Sequence, residues 1–114
     1  MDTKTLDLNT VELAVQKGMA AARQAAAEKH QVIGERDACG FAWVTVYGVR
    51  SNSKLGKLLA NYGFRKAYNG GLQLWDPSRH PTQSISVLEA GAYAMADVLV
   101  NELGLRAYGG SRLD

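Results

Sequence analysis

The chain has 114 residues, 46% of them hydrophobic and 21% charged. That balance fits one domain spanning 1–114 with a single modest core, and it does not indicate a disordered body. A net charge of +2 is too small to argue for nucleic-acid binding from totals alone, and the lone Cys39 excludes an internal disulfide and a four-thiolate metal site.

No apolar run approaches the roughly 20 residues of a membrane span, and the first nine residues are polar and mixed in charge, unlike a signal peptide. The expected setting is therefore cytoplasmic, with no membrane partner and no cofactor. Residues 1–8 read as a loose lead-in. Asn9 or Thr10 is placed to cap a helix over 10–29, and Asn9 with Glu12 has capping-box spacing. Val11, Val15, Met19, Ala22 and Ala26 recur at steps of three and four. With Gly18, the alanines make this a small face, which lets helix axes approach closely. It packs either on the rest of the domain or on the same helix of a second subunit.

Residues 30–39 form a connector, with Gly34 and Glu35-Arg36-Asp37. His30 at the helix end complements the dipole, and Cys39 reads as a quiet buried thiol. The segment 40–47, GFAWVTVY, is the strongest strand signal. Phe41, Trp43, Thr45 and Tyr47 alternate with Ala42, Val44 and Val46. Both sets are largely apolar, so the expected strand is central and covered on both sides. After the loop 48–52, Ser51 or Asn52 caps a helix over 53–62. Leu55, Leu58, Leu59 and Tyr62 form its apolar side, and Gly63 is its left-handed stop. A strand over 64–68, a turn at Asn69-Gly70 and a strand over 71–75 make a hairpin. The loop 76–83, DPSRHPTQ, carries both prolines. Ser86 then opens a helix to Leu103, with Glu89 at capping-box spacing, a buried stripe of Leu88, Ala92, Met95, Leu99 and Leu103, and Gly104 as its stop. A short last strand over 105–108 is released by Gly109-Gly110 into a polar tail over 110–114.

The order is helix, then strand–helix–strand–strand–helix–strand. This predicts an α+β fold. Residues 40–109 match the ferredoxin-like, split βαβ plan, a four-stranded antiparallel sheet with two helices on one face, with an additional N-terminal α-helix. The other face stays open unless the extra helix or a second subunit covers it. Phe41 and Trp43 exposed there would form an apolar patch in need of a partner.

Charge is distributed unevenly. Residues 38–75 hold Arg50, Lys54, Lys57, Arg65 and Lys66 and no acid, leaving eight cations against eleven acids elsewhere. Within this segment Arg50-Ser51-Asn52-Ser53-Lys54 combines a helix start with hydroxyl, amide and cationic donors. That chemistry suits a phosphate or carboxylate. It lacks the glycines and the Gly-Lys-Ser/Thr ending of a Walker loop. The bland alternative is a capped helix with solvated lysines. Arg65 and Lys66 would add positive field, Arg79 a further contact, and Tyr68 or Trp75 a surface for stacking. In the loop after the hairpin, Asp76 and His80 are weak candidates for a general acid–base pair. Neither a nucleophile nor a set of metal ligands accompanies them. Arg106, Tyr108 and Arg112 complete a pocket or form an edge.

The stretch GFAWVTV is similar to the RNP1 pattern of RNA-recognition motifs, in which such aromatics stack on bases. It departs from the pattern in having Cys39 rather than a cation before Gly40, and in lying on the first strand. Separately, Tyr68-Asn-Gly-Gly-Leu-Gln-Leu-Trp-Asp-Pro-Ser78, Gln83-Ser84, Glu89-Ala-Gly91 and Gly110-Ser-Arg-Leu-Asp114 resemble small uncharacterised proteins encoded by tailed phages. The resemblance implies a host-cell cytoplasm and a role in takeover or counter-defence. It supplies no catalytic residues.

These readings converge on a small non-enzymatic binding protein, expected to be a homo-oligomer. It would hold an anionic ligand, a nucleotide or nucleic-acid phosphate, at the basic loop, as in sequestering a nucleotide signal. One alternative is a protein–protein inhibitor or structural accessory docking an apolar sheet face on a host protein. The other is a small hydrolase or transferase using Asp76 and His80.

Overall fold

The computed structural model describes residues 7–34, 36–68 and 70–114. Residues 1–6 of the expected lead-in, Glu35 of the connector and Asn69 of the expected turn lie outside the described residues. The elements in chain order are α1 (Leu8–Ile33), β1 (Gly40–Tyr47), α2 (Lys54–Asn61), β2 (Arg65–Lys66), β3 (Leu72–Trp75), α3 (Ile85–Leu103) and β4 (Arg106–Leu113). Four strands form one sheet in the order β2-β3-β1-β4, every neighbouring pair antiparallel. The fold is α+β. Among the described residues no helix is long and apolar enough to cross a membrane.

Several boundaries move for identifiable reasons. The cap of α1 is Asp7, whose carboxylate accepts from the Asn9 N–H at 3.3 Å, rather than Asn9 or Thr10. Ser53 caps α2, rather than Ser51 or Asn52. Its hydroxyl accepts from the Gly56 N–H at 3.0 Å and donates to the Arg50 carbonyl at 2.7 Å. The strand expected over 64–68 shrinks to Arg65–Lys66. Phe64 is not in the ladder: it is buried in the core, with its N–H on the Leu59 carbonyl.

The start of α3 is built by a residue far away in sequence. Ser84, not Ser86, is the cap, and Glu89 accepts from the Tyr93 hydroxyl instead of closing a capping box. The reason is Asp37. Its carboxylate accepts from the Ser84 hydroxyl at 2.6 Å and the Ser86 N–H at 2.8 Å, so one anion meets two donors at a helix N-terminus. The same corner joins Cys39 to Ser84 as a β-bridge, and Cys39 is exposed rather than buried.

All three helices lie on one side of the sheet. Ala42, Val44, Val46, Leu72, Leu74 and Ala107 face them and join Val15, Leu59, Met95 and Leu99 in one core. The small face of α1 packs on α3 of the same chain: a Cβ at Gly18 would sit 3.0 Å from Met95 Cγ. The expected stripe of α3, Leu88 to Leu103, is buried at every position.

The largest difference from expectation is β4. Gly109 and Gly110 do not release the strand. It runs to Leu113 and pairs with β1 over its whole length, from Gly40↔Leu113 to Tyr47↔Arg106. The glycines are inside the ladder because aromatic rings occupy the space above and below them. A Cβ at Gly109 would lie 2.3 Å from the Tyr93 ring on the helix side. One at Gly110 would lie 2.6 Å from the Trp43 indole on the other side. A glycine inside a strand marks such close approach.

Two outcomes follow. Gly109→Ala should lower the unfolding free energy in urea by about 1–3 kcal/mol, as overpacking does, and adding Tyr93→Ala should restore part of it. Equal midpoints for wild type and Gly109→Ala would disprove the packing account. The Asp37 carboxyl is lowered from 3.8 to about 2, first by the Ser84 hydroxyl and then by the Ser86 N–H. A depressed carboxyl stabilises the fold above its unfolded pKa, and that contribution is lost as pH falls through the folded value. The melting-temperature gap between wild type and Asp37→Ala should therefore be full above about pH 4 and close towards pH 2. A gap independent of pH would rule out the carboxylate as its origin.

Candidate functional site: the open sheet face

Alternation along β1 sends Phe41, Trp43, Thr45 and Tyr47 away from the helices. The register aligns Arg112, Gly110, Tyr108 and Arg106 of β4 beside them, and Trp75 and Gln73 of β3 on the other side of Trp43 and Thr45. The expectation that both faces of β1 are covered is not met among the described residues. Phe41, Trp75 and Tyr108 are 38%, 45% and 56% exposed. The extra helix α1 lies with α3 on the opposite side.

The aromatic rings on this face form two groups. At one end Trp43 and Trp75 stack with centroids 4.8 Å apart, and Phe41 tilts against Trp75 at 5.8 Å. The Arg112 guanidinium lies over this group, 5.6 Å from the Phe41 ring and 5.7 Å from the Trp75 ring, within cation–π reach. Gln73 accepts from the Trp75 indole N–H at 3.2 Å and orients it. At the other end Tyr47 and Tyr108 are 5.9 Å apart, and Arg106 lies 5.9 Å from the Tyr47 ring. Among the described residues neither guanidinium is in an ion pair. No strand position on this face carries a carboxylate. Asp114 follows β4 beyond its Arg112 end. Both arginines therefore have donors available to an incoming anion.

The other expected site residues divide. Ser51 and Lys66 come together, with Val49 and Gly71, around a shallow groove of about 220 Å³. It adjoins the Tyr47 end of the open face, since the Gly71 Cβ position is 3.0 Å from Tyr47 Cδ1. Arg50, Asn52 and Lys54 are exposed around the start of α2, while the Ser53 hydroxyl is taken up in capping. Tyr68 is fully exposed on the β2–β3 connection. Arg65 serves the fold: its Nη1 donates to the carbonyls of Ala60 and Phe64 at 3.1 and 2.9 Å. Arg79 lies beside the Gly63 turn. Its N–H donates to the Asp76 carboxylate at 3.1 Å.

No hydrogen bond joins Asp76 to His80. The Asp76 carboxylate accepts from the Ser78 hydroxyl at 2.9 Å and shapes its own turn. His80 Nε2 is 2.7 Å from His30 Nδ1, so one ring donates its N–H to the other and ties the end of α1 to the loop before α3. No group of three or more His, Cys, Asp or Glu able to hold a metal occurs among the described residues. A second hollow, lined by Asp37, Cys39, Thr82 and Ser84, surrounds a carboxylate already bonded to the α3 cap.

The sequence assigns Tyr47 no role and leaves Arg106, Tyr108 and Arg112 either completing a pocket or forming an edge. Their spacing of two was visible in Arg106-Ala-Tyr-Gly-Gly-Ser-Arg112, but the glycine pair was read as the end of the strand. In comparisons with protein-family models, curated proteins and solved structures, nothing matches this chain.

Because Ser53 already satisfies the start of α2, Ser53→Ala should cost about 1 kcal/mol of stability, as cap loss does, and leave ligand affinity unchanged. An affinity loss in a fully folded Ser53→Ala protein would restore the helix start as the primary site.

Proposed function

We propose that the protein is a non-enzymatic binding protein for nucleotide-bearing anions, and that the open sheet face is its binding surface. The observation that carries this reading is the Trp43–Trp75 stack with Arg112 over it, on a face whose strand positions carry no carboxylate. Exposed rings offer flat apolar surfaces to bases, and arginine offers planar donors to phosphate. The second group, Tyr47, Tyr108 and Arg106, repeats the combination. The basic loop expected to bind an anion by itself becomes a flank to this surface. Ser51 and Lys66 border its Tyr47 end, and Arg50 follows Tyr47 by three residues.

The scaffold suits the role. Strand order β2-β3-β1-β4 with all neighbours antiparallel supports a ferredoxin-like, split βαβ reading of the core, with α1 added on the helix side. Such an arrangement leaves the central strand's second face free for a ligand. The sequestering role implied by the phage-type resemblance is compatible with a protein that binds nucleotides on an open face.

The test is a tryptophan-fluorescence titration with nucleoside monophosphates and a short oligonucleotide. Saturable quenching is expected. Trp75→Ala should weaken binding by about 1–3 kcal/mol, the range of one base–aromatic stack, and Arg112→Ala should weaken it and reduce its salt dependence. Both positions are exposed, so the variants should fold. If neither ligand type quenches, the reading fails.

A further inference from the structure

The two ring groups lie in line along β1. From Trp43 to Tyr47 is four residues, or about 13 Å at the usual rise of a strand. Neighbouring bases in a helical stack are only about 3.4 Å apart. One base therefore occupies one group, and filling both takes two bases splayed apart with backbone between them.

We infer that the ligand of the open face is a single-stranded nucleic acid, laid along β1 from the Trp43–Trp75–Phe41 group to the Tyr47–Tyr108 group. The inference rests on the reading that this face binds nucleotides, and it names the class. Each ring group has its own arginine, Arg112 at one end and Arg106 at the other. A ligand with one phosphate would leave one of the two cations unanswered. A strand with a phosphate at every step answers both.

Charge complementarity continues past the sheet. Beyond Tyr47 the groove lined by Ser51 and Lys66 carries the track towards Arg50. Lys66 of the acid-free segment 38–75 thus adds a cation at the Arg106 end of the face. A duplex does not suit this surface, because its bases are stacked on one another and cannot lie on Trp43, Trp75 or Tyr108. Gly110 is the feature that lets the Trp43 indole lie close over β4, which keeps the platform low and open to an extended strand. Stacking with few base-edge contacts predicts tolerance of sequence.

The experiment is a fluorescence titration of the full chain with oligothymidylates of one to eight nucleotides and with a duplex. It is run at 50 and 200 mM salt, with native mass spectrometry in parallel. Affinity should rise at least tenfold from the mononucleotide and level off at about four to six nucleotides, the low end of the roughly 4–16 nucleotides covered by a single-strand-binding OB fold. Neutralising two phosphates predicts a loss of roughly sevenfold between the two salt concentrations. Trp75→Ala and Tyr108→Ala should each weaken the longest oligonucleotide about fivefold or more. Arg106→Ala and Arg112→Ala, at exposed positions, test the same surface if an aromatic variant fails to fold.

Equal affinity for one and eight nucleotides would overturn the inference and leave the nucleotide reading standing. Tighter binding of the duplex would overturn it in favour of backbone charge alone. No binding of any length, with a dimer that Trp75→Ala dissociates, would overturn both and make the face an interface between copies of this chain.

Discussion

The constraint on which the rest of the structure depends is the passage of β4 between two aromatic rings. Tyr93 closes on it from α3 and Trp43 from the open side, and the strand fits because Gly109 and Gly110 carry no Cβ. Full-length pairing of β4 with β1 follows from that fit. It sets which side chains stand beside which. Without those two glycines the strand would bulge or end after Tyr108. Arg112 would then no longer lie over Phe41 and Trp75. A packing requirement on the helix side thus determines the chemistry on the other.

Much of the architecture was legible because its signals are local. The stripes of α1 and α3, the alternation in β1 and the left-handed stop at Gly104 all follow from the periods of helix and strand. What was not legible depends on contacts distant in sequence. Ser86 and Glu89 have capping-box spacing, yet Asp37, nearly fifty residues away, takes the donors and moves the cap to Ser84. Gly109-Gly110 carries a local signal for a strand end. Only the Tyr93 and Trp43 rings reverse it. The same applies to coverage: the apolar alternation of GFAWVTVY is equally compatible with one buried face or two, and the packing of α1 on α3 leaves one face open.

The candidate site shows the same division. A run of cations drew attention to Arg50–Lys54, but cations near in sequence are not necessarily a site. Ser53 is committed to its own helix and Arg65 to the carbonyls of Ala60 and Phe64. Asp76 and His80 each have partners that are not each other. The aromatic–arginine face is assembled from three strands, and its cations, Arg106 and Arg112, lie outside the basic segment altogether. Of the residues named with the basic loop, Trp75 belongs fully to this face; Phe41 and Trp43, the aromatics of the RNP1-like stretch, join it there.

The placement of the arginines also argues against reading this face as a core left uncovered by accident. A guanidinium over a ring gains cation–π attraction worth about 0.5–1 kcal/mol when exposed, and among the described residues neither arginine gains an ion pair. On a surface meant to be buried against an apolar partner, two unpaired guanidinium groups would be costly, because a desolvated charge needs a counter-charge. On a surface meant to receive phosphate, the ligand supplies that counter-charge. The rings hold each arginine at its station until then. Exposed aromatics suit a flat apolar group, and arginines outside any ion pair among the described residues suit an anion. A partner that carries flat groups and negative charges at regular intervals satisfies both requirements at once.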